Sequence, residues 1–223
     1  MQLRSANTGF GLLFLLSFGT ATLAEPAEGV QDQRVEPPVT TETGDEVEVL
    51  ELFWYGCPHC YDLEPAIKPW IASLPEGAKF RRMPAVFGNP LWALHARAFY
   101  TAEALGVLDQ LHEPLFKTIH KHKNPLKDEA AIGQLFAQHG VDPAKFSSTF
   151  NSFFVDTKVR RATALSKAYG ITGVPALVIN GEYRTAGTSA GGQAEMLQVA
   201  DYLIAREREA NRLAANPAPA AAA

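Results

Sequence analysis

Residues 46–67 read EVEVLELFWYGCPHCYDLEPAI, and the character of the chain changes in the middle of them. The first ten residues are rich in valine and aromatics, so they form a strand. Its acidic start alternates with valine. The run then becomes wholly apolar, as expected of a strand entering the centre of a sheet. From Pro58 onward the period is helical: Cys60, Leu63, Ile67, Ile71 and Leu74 recur at spacings of three or four and share one face. Pro65 and Pro69 fall inside that pattern, which predicts a kink. KFRRMPAVF (79–87) reads as a second strand, closing a βαβ unit.

Outward from this core the same signals continue. The stretch from about 90 to 170 is helical. Leu91, Leu94, Ala98, Ala102 and Leu105 form one stripe, and Leu108, Leu111, Leu115 and Ile119 another. Asp128 predicts an N-cap, and Asp142-Pro143 an N-cap followed by proline at the first helical position. PALVIN (175–180), Asn180-Gly181 and EYR (182–184) spell a hairpin with a type I′ turn. Residues 192–209 form a last amphipathic helix. The order is that of a small α/β fold with a helical insertion. The leader 25–45 is polar, with one short strand expected near Val39–Thr41. The alanine- and proline-rich tail 211–223 is expected to be disordered.

The chain has 223 residues and is 47% hydrophobic, enough for a substantial core, and its net charge of −4 offers no basic footprint for nucleic acid. Residues 1–24 carry the pattern of a signal peptide. Arg4 is the only charge, GLLFLLSFG (11–19) is a short apolar core, and Thr22-Leu23-Ala24 supplies small residues for cleavage. The apolar run is too short to span a bilayer. Export would place the two cysteines where disulfides are chemically possible.

Those cysteines, Cys57 and Cys60, are the only two in the chain. With proline favoured at the first helical position, a helix starting at Pro58 makes Cys57 the N-cap. Free backbone N–H groups and the positive end of the helix dipole then face its sulfur. His59, in the same turn, adds a donor or a charge. All of these favour thiolate, so Cys57 is expected to be acidic. Cys60 shares the face of Leu63 and Ile67, and its buried thiol is expected to hold its proton. Such a pair is a nucleophile and a resolving partner. Stabilising one thiolate stabilises the reduced form and makes the disulfide oxidising. Zinc needs about four ligands where this motif supplies two, and HKHK (120–123) reads as a solvated helix end, so no metal site is expected. A structural disulfide across two residues would constrain little of the unfolded chain. Glu51 interrupts the stripe Val47, Val49, Phe53; it is either a solvated strand-end carboxylate or a buried acid with a raised pKa. Glu64 reads as an exposed helix carboxylate.

FWYGCPHCY, the helix after it and TGVPALVINGEYR (172–184) resemble the DsbA family of periplasmic disulfide oxidoreductases, with similarity running from about residue 45 to 208. The resemblance implies a thioredoxin fold with an inserted α-helical domain: residues 46–87 and 166–210 forming the thioredoxin-like part and 88–165 the insertion. It implies that Cys57 forms a mixed disulfide with substrate and that Cys60 resolves it. Pro58 and His59 would tune Cys57, and the buried Glu51 would move the Cys60 proton. Val174 and a cis Pro175 would face the active site, the Val174 backbone pairing with an extended substrate. The implied partners are reduced, unfolded exported proteins and a DsbB-like quinone-linked membrane oxidase. The implied protein is a periplasmic monomer with no cofactor beyond its own cysteine pair. The sequence departs from the best-known member at Tyr55-Gly56, where that protein has two phenylalanines. An isomerase or reductase, and a chaperone-like binding module, are the alternatives. The first would want a dimerisation segment, and none is left over.

Overall fold

The protein is described here from a computed structural model covering residues 26–216. The expected signal peptide, the first residue of the leader and the end of the tail lie outside the described residues. Strand β1 is Gln33–Arg34, β2 Val47–Phe53, β3 Ala78–Pro84, β4 Ala176–Ile179 and β5 Tyr183–Ala186. They form one sheet in the order β1-β5-β4-β2-β3. β2 is parallel to β3 and antiparallel to β4, and every residue of β2 is buried, which is why its sequence is so apolar. The predicted leader strand near Val39–Thr41 is not there. The chain pairs earlier, through Gln33 and Arg34 against β5, and at Val39 makes only one backbone bond, to the Gly181 carbonyl.

Helix α1 spans Pro58–Ala72, continuous through both internal prolines. The insertion is built of α2 (Pro90–Ala104), α3 (Leu108–His120), α4 (Glu129–Gln138), α5 (Pro143–Phe150) and α6 (Phe153–Ala168). Asp128 and Asp142 cap α4 and α5 as expected, each side chain accepting from a backbone N–H three residues on. The hairpin turn is also as read. Asn180 and Gly181 both have positive φ, 53° and 70°, and Glu182 N–H bonds the Ile179 carbonyl. A single turn, α7 (Gly187–Ala190), precedes α8 (Gln193–Ala215). α8 runs through residues 211–215 that were expected to be disordered, because its helical pattern does not stop where the tail composition begins.

The sheet is covered on both faces. On one, Val47, Val49, Leu177 and Ile179 pack on Leu63 and Ile67 of α1 and on Met196, Ala200 and Leu203 of α8. On the other, Leu50, Leu52 and Val178 join Phe99, Leu111, Phe116 and Phe136 of the insertion. Phe53, the last residue of β2, belongs to this second cluster rather than to the Val47–Val49 stripe. The active-site segment leaves the sheet between these two cores.

Candidate active site

β2 ends at Phe53, and the turn Trp54-Tyr55-Gly56 delivers the chain to α1. Cys57 N–H closes the turn on the Trp54 carbonyl at 2.9 Å. Cys57 is the N-cap, extended at φ −83° and ψ 118°, with Pro58 beginning the helix. Its carbonyl accepts the first helical bond, from Tyr61 N–H at 3.1 Å. The turn needs glycine at 56: an added Cβ would sit 2.3 Å from the Trp54 indole, which folds back over it. That indole is itself held by a parallel stack on Trp92, with ring centroids 4.3 Å apart.

The two sulfurs differ as the helix phasing requires. Cys57 is held down to about 6. The leading cause is the Cys60 S–H, which donates to the Cys57 sulfur; burial opposes it, and the backbone N–H groups of Cys60 and His59 and the His59 charge add to it. Sequence reasoning found the helix start but not the foremost donor, the partner thiol. Cys60 is fully buried, and burial together with the neighbouring Cys57 raises its thiol far above the ordinary range. His59 is exposed at the helix start, where its own carbonyl accepts from the Gln193 side chain at the head of α8.

Glu51 is buried, not a solvated strand end. Only 1% of it is exposed, and burial raises its carboxyl to about 7 against the attraction of Arg82. Its charge is felt at Cys60, where it helps keep the thiol protonated. Arg82 is its direct register partner on β3, and its Nε donates to Glu51 at 2.9 Å. The same guanidinium reaches Glu64 at 3.3 Å. The expectation of an exposed Glu64 is therefore wrong. α3 docks over it, its burial opposes ionisation, and His112, Arg82 and Lys68 outweigh that and hold it below the usual carboxylate range. His112 donates from Nε2 to Glu64 at 3.2 Å. Its Nδ1 lies 2.9 Å from the buried Tyr55 hydroxyl. Arg82 and His112 were not read from the sequence.

The Val174–Pro175 peptide is cis, and the Val174 carbonyl oxygen lies 3.4 Å from the Cys57 sulfur, within reach of a thiol S–H. From there a groove of about 540 Å³ opens, lined by His59, Gly173, Val174, Pro175, Arg184 and Gln193 among others. Among the described residues no group of three or more histidine, cysteine or acidic side chains could hold a metal, and no helix is long and apolar enough to cross a membrane. HKHK is not simply a solvated helix end either: His120 Nε2 donates to the Tyr55 carbonyl at 2.8 Å.

A sheet with an N-capping cysteine, a buried second cysteine in the first turn and a cis-proline loop across from them defines a thioredoxin-fold thiol:disulfide oxidoreductase. The comparisons narrow the class. A family model described as DSBA-like thioredoxin domain matches residues 48–203, and the chain belongs to that family. It is 43% identical over 194 residues to the thiol:disulfide interchange protein DsbA of Pseudomonas aeruginosa, covering 86% of this chain and 92% of that one. To the protein of the same name from Azotobacter vinelandii it is 44% identical over 200 residues, covering 89% and 93%. The crystal structure of Pseudomonas aeruginosa DsbA superposes with a TM-score of 0.79 at 43% identity, covering 84% of this chain and 97% of that one. That of the Xylella fastidiosa oxidoreductase DsbA gives 0.78 at 30% identity, with coverages of 83% and 100%.

Proposed function

We propose that this oxidoreductase works in the periplasm as a disulfide donor to reduced, unfolded exported proteins. The observation that carries the direction is the inequality of the two sulfurs, Cys57 acidic and Cys60 strongly basic. A substrate thiolate attacks the Cys57 sulfur and the Cys57–Cys60 bond breaks. The Cys60 thiolate leaves and takes a proton, a transfer we assign to Glu51 because its charge is felt at Cys60. A second substrate thiolate then attacks the substrate sulfur of the mixed disulfide. Cys57 departs as a stable thiolate, two electrons having passed to the protein pair. In reverse, Cys60 resolves the mixed disulfide. An extended substrate would lie against Val174 and Pro175 in the groove, bound by backbone and not by side-chain identity. The signal-peptide pattern of residues 1–24 and the family likeness support export. The likeness also supports reoxidation by a DsbB-like, quinone-linked membrane oxidase.

The test is the redox equilibrium with glutathione. The Cys57–Cys60 couple is expected to lie well above the thioredoxin value of about −270 mV. A potential at or below that value makes the protein a reductase and overturns the reading.

Glu51 has its own test. Glu51→Gln keeps the size and an acceptor for Arg82 but is neither an acid nor a base near neutral pH. Attack of Cys60 on a Cys57–glutathione mixed disulfide is expected to slow by about 10²-fold. Formation of that disulfide should slow less, because Cys60 is then the leaving group and needs no base to activate it. Stopped-flow rates for the two steps would remove Glu51 from the mechanism if they fell equally or not at all.

A further inference from the structure

The segment between Cys57 and Cys60 is bracketed by two tyrosines, Tyr55 before it and Tyr61 after it, and both are held by one helix of the insertion. On α3, His112, Phe116 and His120 fall four residues apart and so share a face. His112 meets the Tyr55 hydroxyl at 2.9 Å. Phe116 packs its ring on both tyrosines, with centroids 4.9 Å from Tyr55 and 6.0 Å from Tyr61. His120 donates to the Tyr55 carbonyl at 2.8 Å and stacks on Tyr61 at 4.8 Å, with ring planes 9° apart.

The protons on these bonds are fixed by their partners. A carbonyl only accepts, so His120 carries hydrogen on Nε2. Burial lowers His112, which is therefore neutral near neutrality, and the ionised Glu64 requires its hydrogen on Nε2. Nδ1 is left as a lone pair, and the buried Tyr55 O–H donates to it. The charged and titratable groups that face His112 are Glu64 and Lys68 of α1, Arg82 of β3 and Tyr55. The Tyr55 hydroxyl, both His112 nitrogens and the Tyr55 carbonyl each have a partner, which suits a contact that must hold one geometry.

We propose that the α3 stripe His112–Phe116–His120 is the positioning device of the redox pair, gripping the chain on either side of it so that Cys57 stays at the start of α1. The turn that presents Cys57 carries one closing bond of its own, Cys57 N–H to Trp54 O. The Tyr55 carbonyl, in the middle of that turn, is pinned from α3. Freed of that pin, the turn samples orientations in which the sulfur leaves the first-turn N–H groups, and the thiolate loses their stabilisation within that one turn. The insertion would thus act on the thiol chemistry as well as on the shape of the surface.

This rests on Cys57 being the acidic nucleophile, which titration of the wild-type chain tests by itself. The stripe is tested against that value. His120→Leu removes the donor and His120→Gln supplies another. The leucine variant is expected to raise the Cys57 midpoint by about half to one unit, a shift of about three- to tenfold in the thiolate equilibrium. The glutathione equilibrium should move by a similar factor towards a less oxidising disulfide, and the glutamine variant should return both towards wild type. An unchanged midpoint in the leucine variant overturns the proposal, as does a glutamine variant that shifts as far as leucine. Should the leucine variant not fold, nitrogen chemical shifts of the wild-type chain serve instead. In its neutral form His120 is expected as the Nε2-protonated tautomer, and the Nδ1-protonated form overturns the proposal.

Discussion

Arg82→Met should destabilise the oxidised protein by about 3–5 kcal/mol above neutral pH, and by less near pH ~5, where the Glu51 share of the loss is gone. Among the described residues Arg82 is the one cation bonded to both Glu51 and Glu64, which are 1% and 7% exposed. Methionine fills much of the same space but leaves two carboxylates buried together, with His112 neutral and Lys68 3.8 Å from Glu64 at the surface side. The pH dependence follows from how each acid is shifted. Glu51 is raised from 4.5 to about 7, so the folded state binds its proton more tightly and stability falls as pH rises through that window. Without Arg82 that upward shift grows. Glu64 is lowered, so it contributes stability that is present above its unfolded value and lost as pH falls through its folded one. Without Arg82 that contribution shrinks or reverses. Both changes enlarge the deficit at high pH. Near pH ~5 Glu51 is protonated and its share is gone, while Glu64, held below the usual range, is still a carboxylate and keeps its own. Urea unfolding at several pH values reads the difference directly. A loss of the same size at pH ~5 and pH ~8 would show that the Glu51 carboxylate does not depend on Arg82.

What could be read from the sequence, and what could not, divides by the distance over which each feature is decided. The position of Cys57 as N-cap follows from Pro58 beside it, and the burial of Cys60 from its phase with Leu63 and Ile67. Asn180-Gly181 states its turn in two residues. These are local, and sequence spacing contains them. Glu64 was misread because it flanks the apolar stripe of α1, and what buries it is α3, whose His112 lies 48 residues away. Arg82 is one of two adjacent arginines on β3. Period two puts them on opposite faces, but only the pairing of β2 with β3 sets Glu51 opposite Arg82 and lets Arg81 bond the buried Glu48. His120 sits in HKHK, and its charged neighbours concealed the four-residue spacing back to Phe116 and His112. That spacing was the available signal, though its meaning depends on Tyr55, 57 residues from His112 and 65 from His120. β1 was missed for a similar reason: a two-residue strand has no period to detect.

The stability of the reduced protein relative to the oxidised one is expected to rise with pH between about 6 and about 9, by about 2–4 kcal/mol in all. The reduced chain alone has a thiol to ionise at Cys57. In the folded state that thiol is held down to about 6, from 9.0 without the fold. A depressed acid contributes stability that is complete above its unfolded value and lost as pH falls through its folded one. Below pH ~6 the contribution is absent, and across the interval it grows. The full shift sets the upper end of the range, and the partial solvent access of an N-cap sulfur the lower. Cys60 does not contribute within this interval, because burial keeps it protonated in the fold. Above pH ~9 it ionises only in the unfolded chain, which begins to reverse the gain. Whatever stability the fold gives the dithiol over the disulfide appears as oxidising strength, since the two states and their unfolded counterparts close a thermodynamic cycle. Urea unfolding of both forms across this range therefore measures the driving force for disulfide donation without any substrate. Cys57→Ser should flatten the profile of the reduced chain, whereas Cys60→Ser, which keeps a hydroxyl to donate towards Cys57, should retain most of it. A flat or falling difference in the wild-type chain would mean that the fold does not favour the Cys57 thiolate, and the direction assigned to the exchange would have lost its cause.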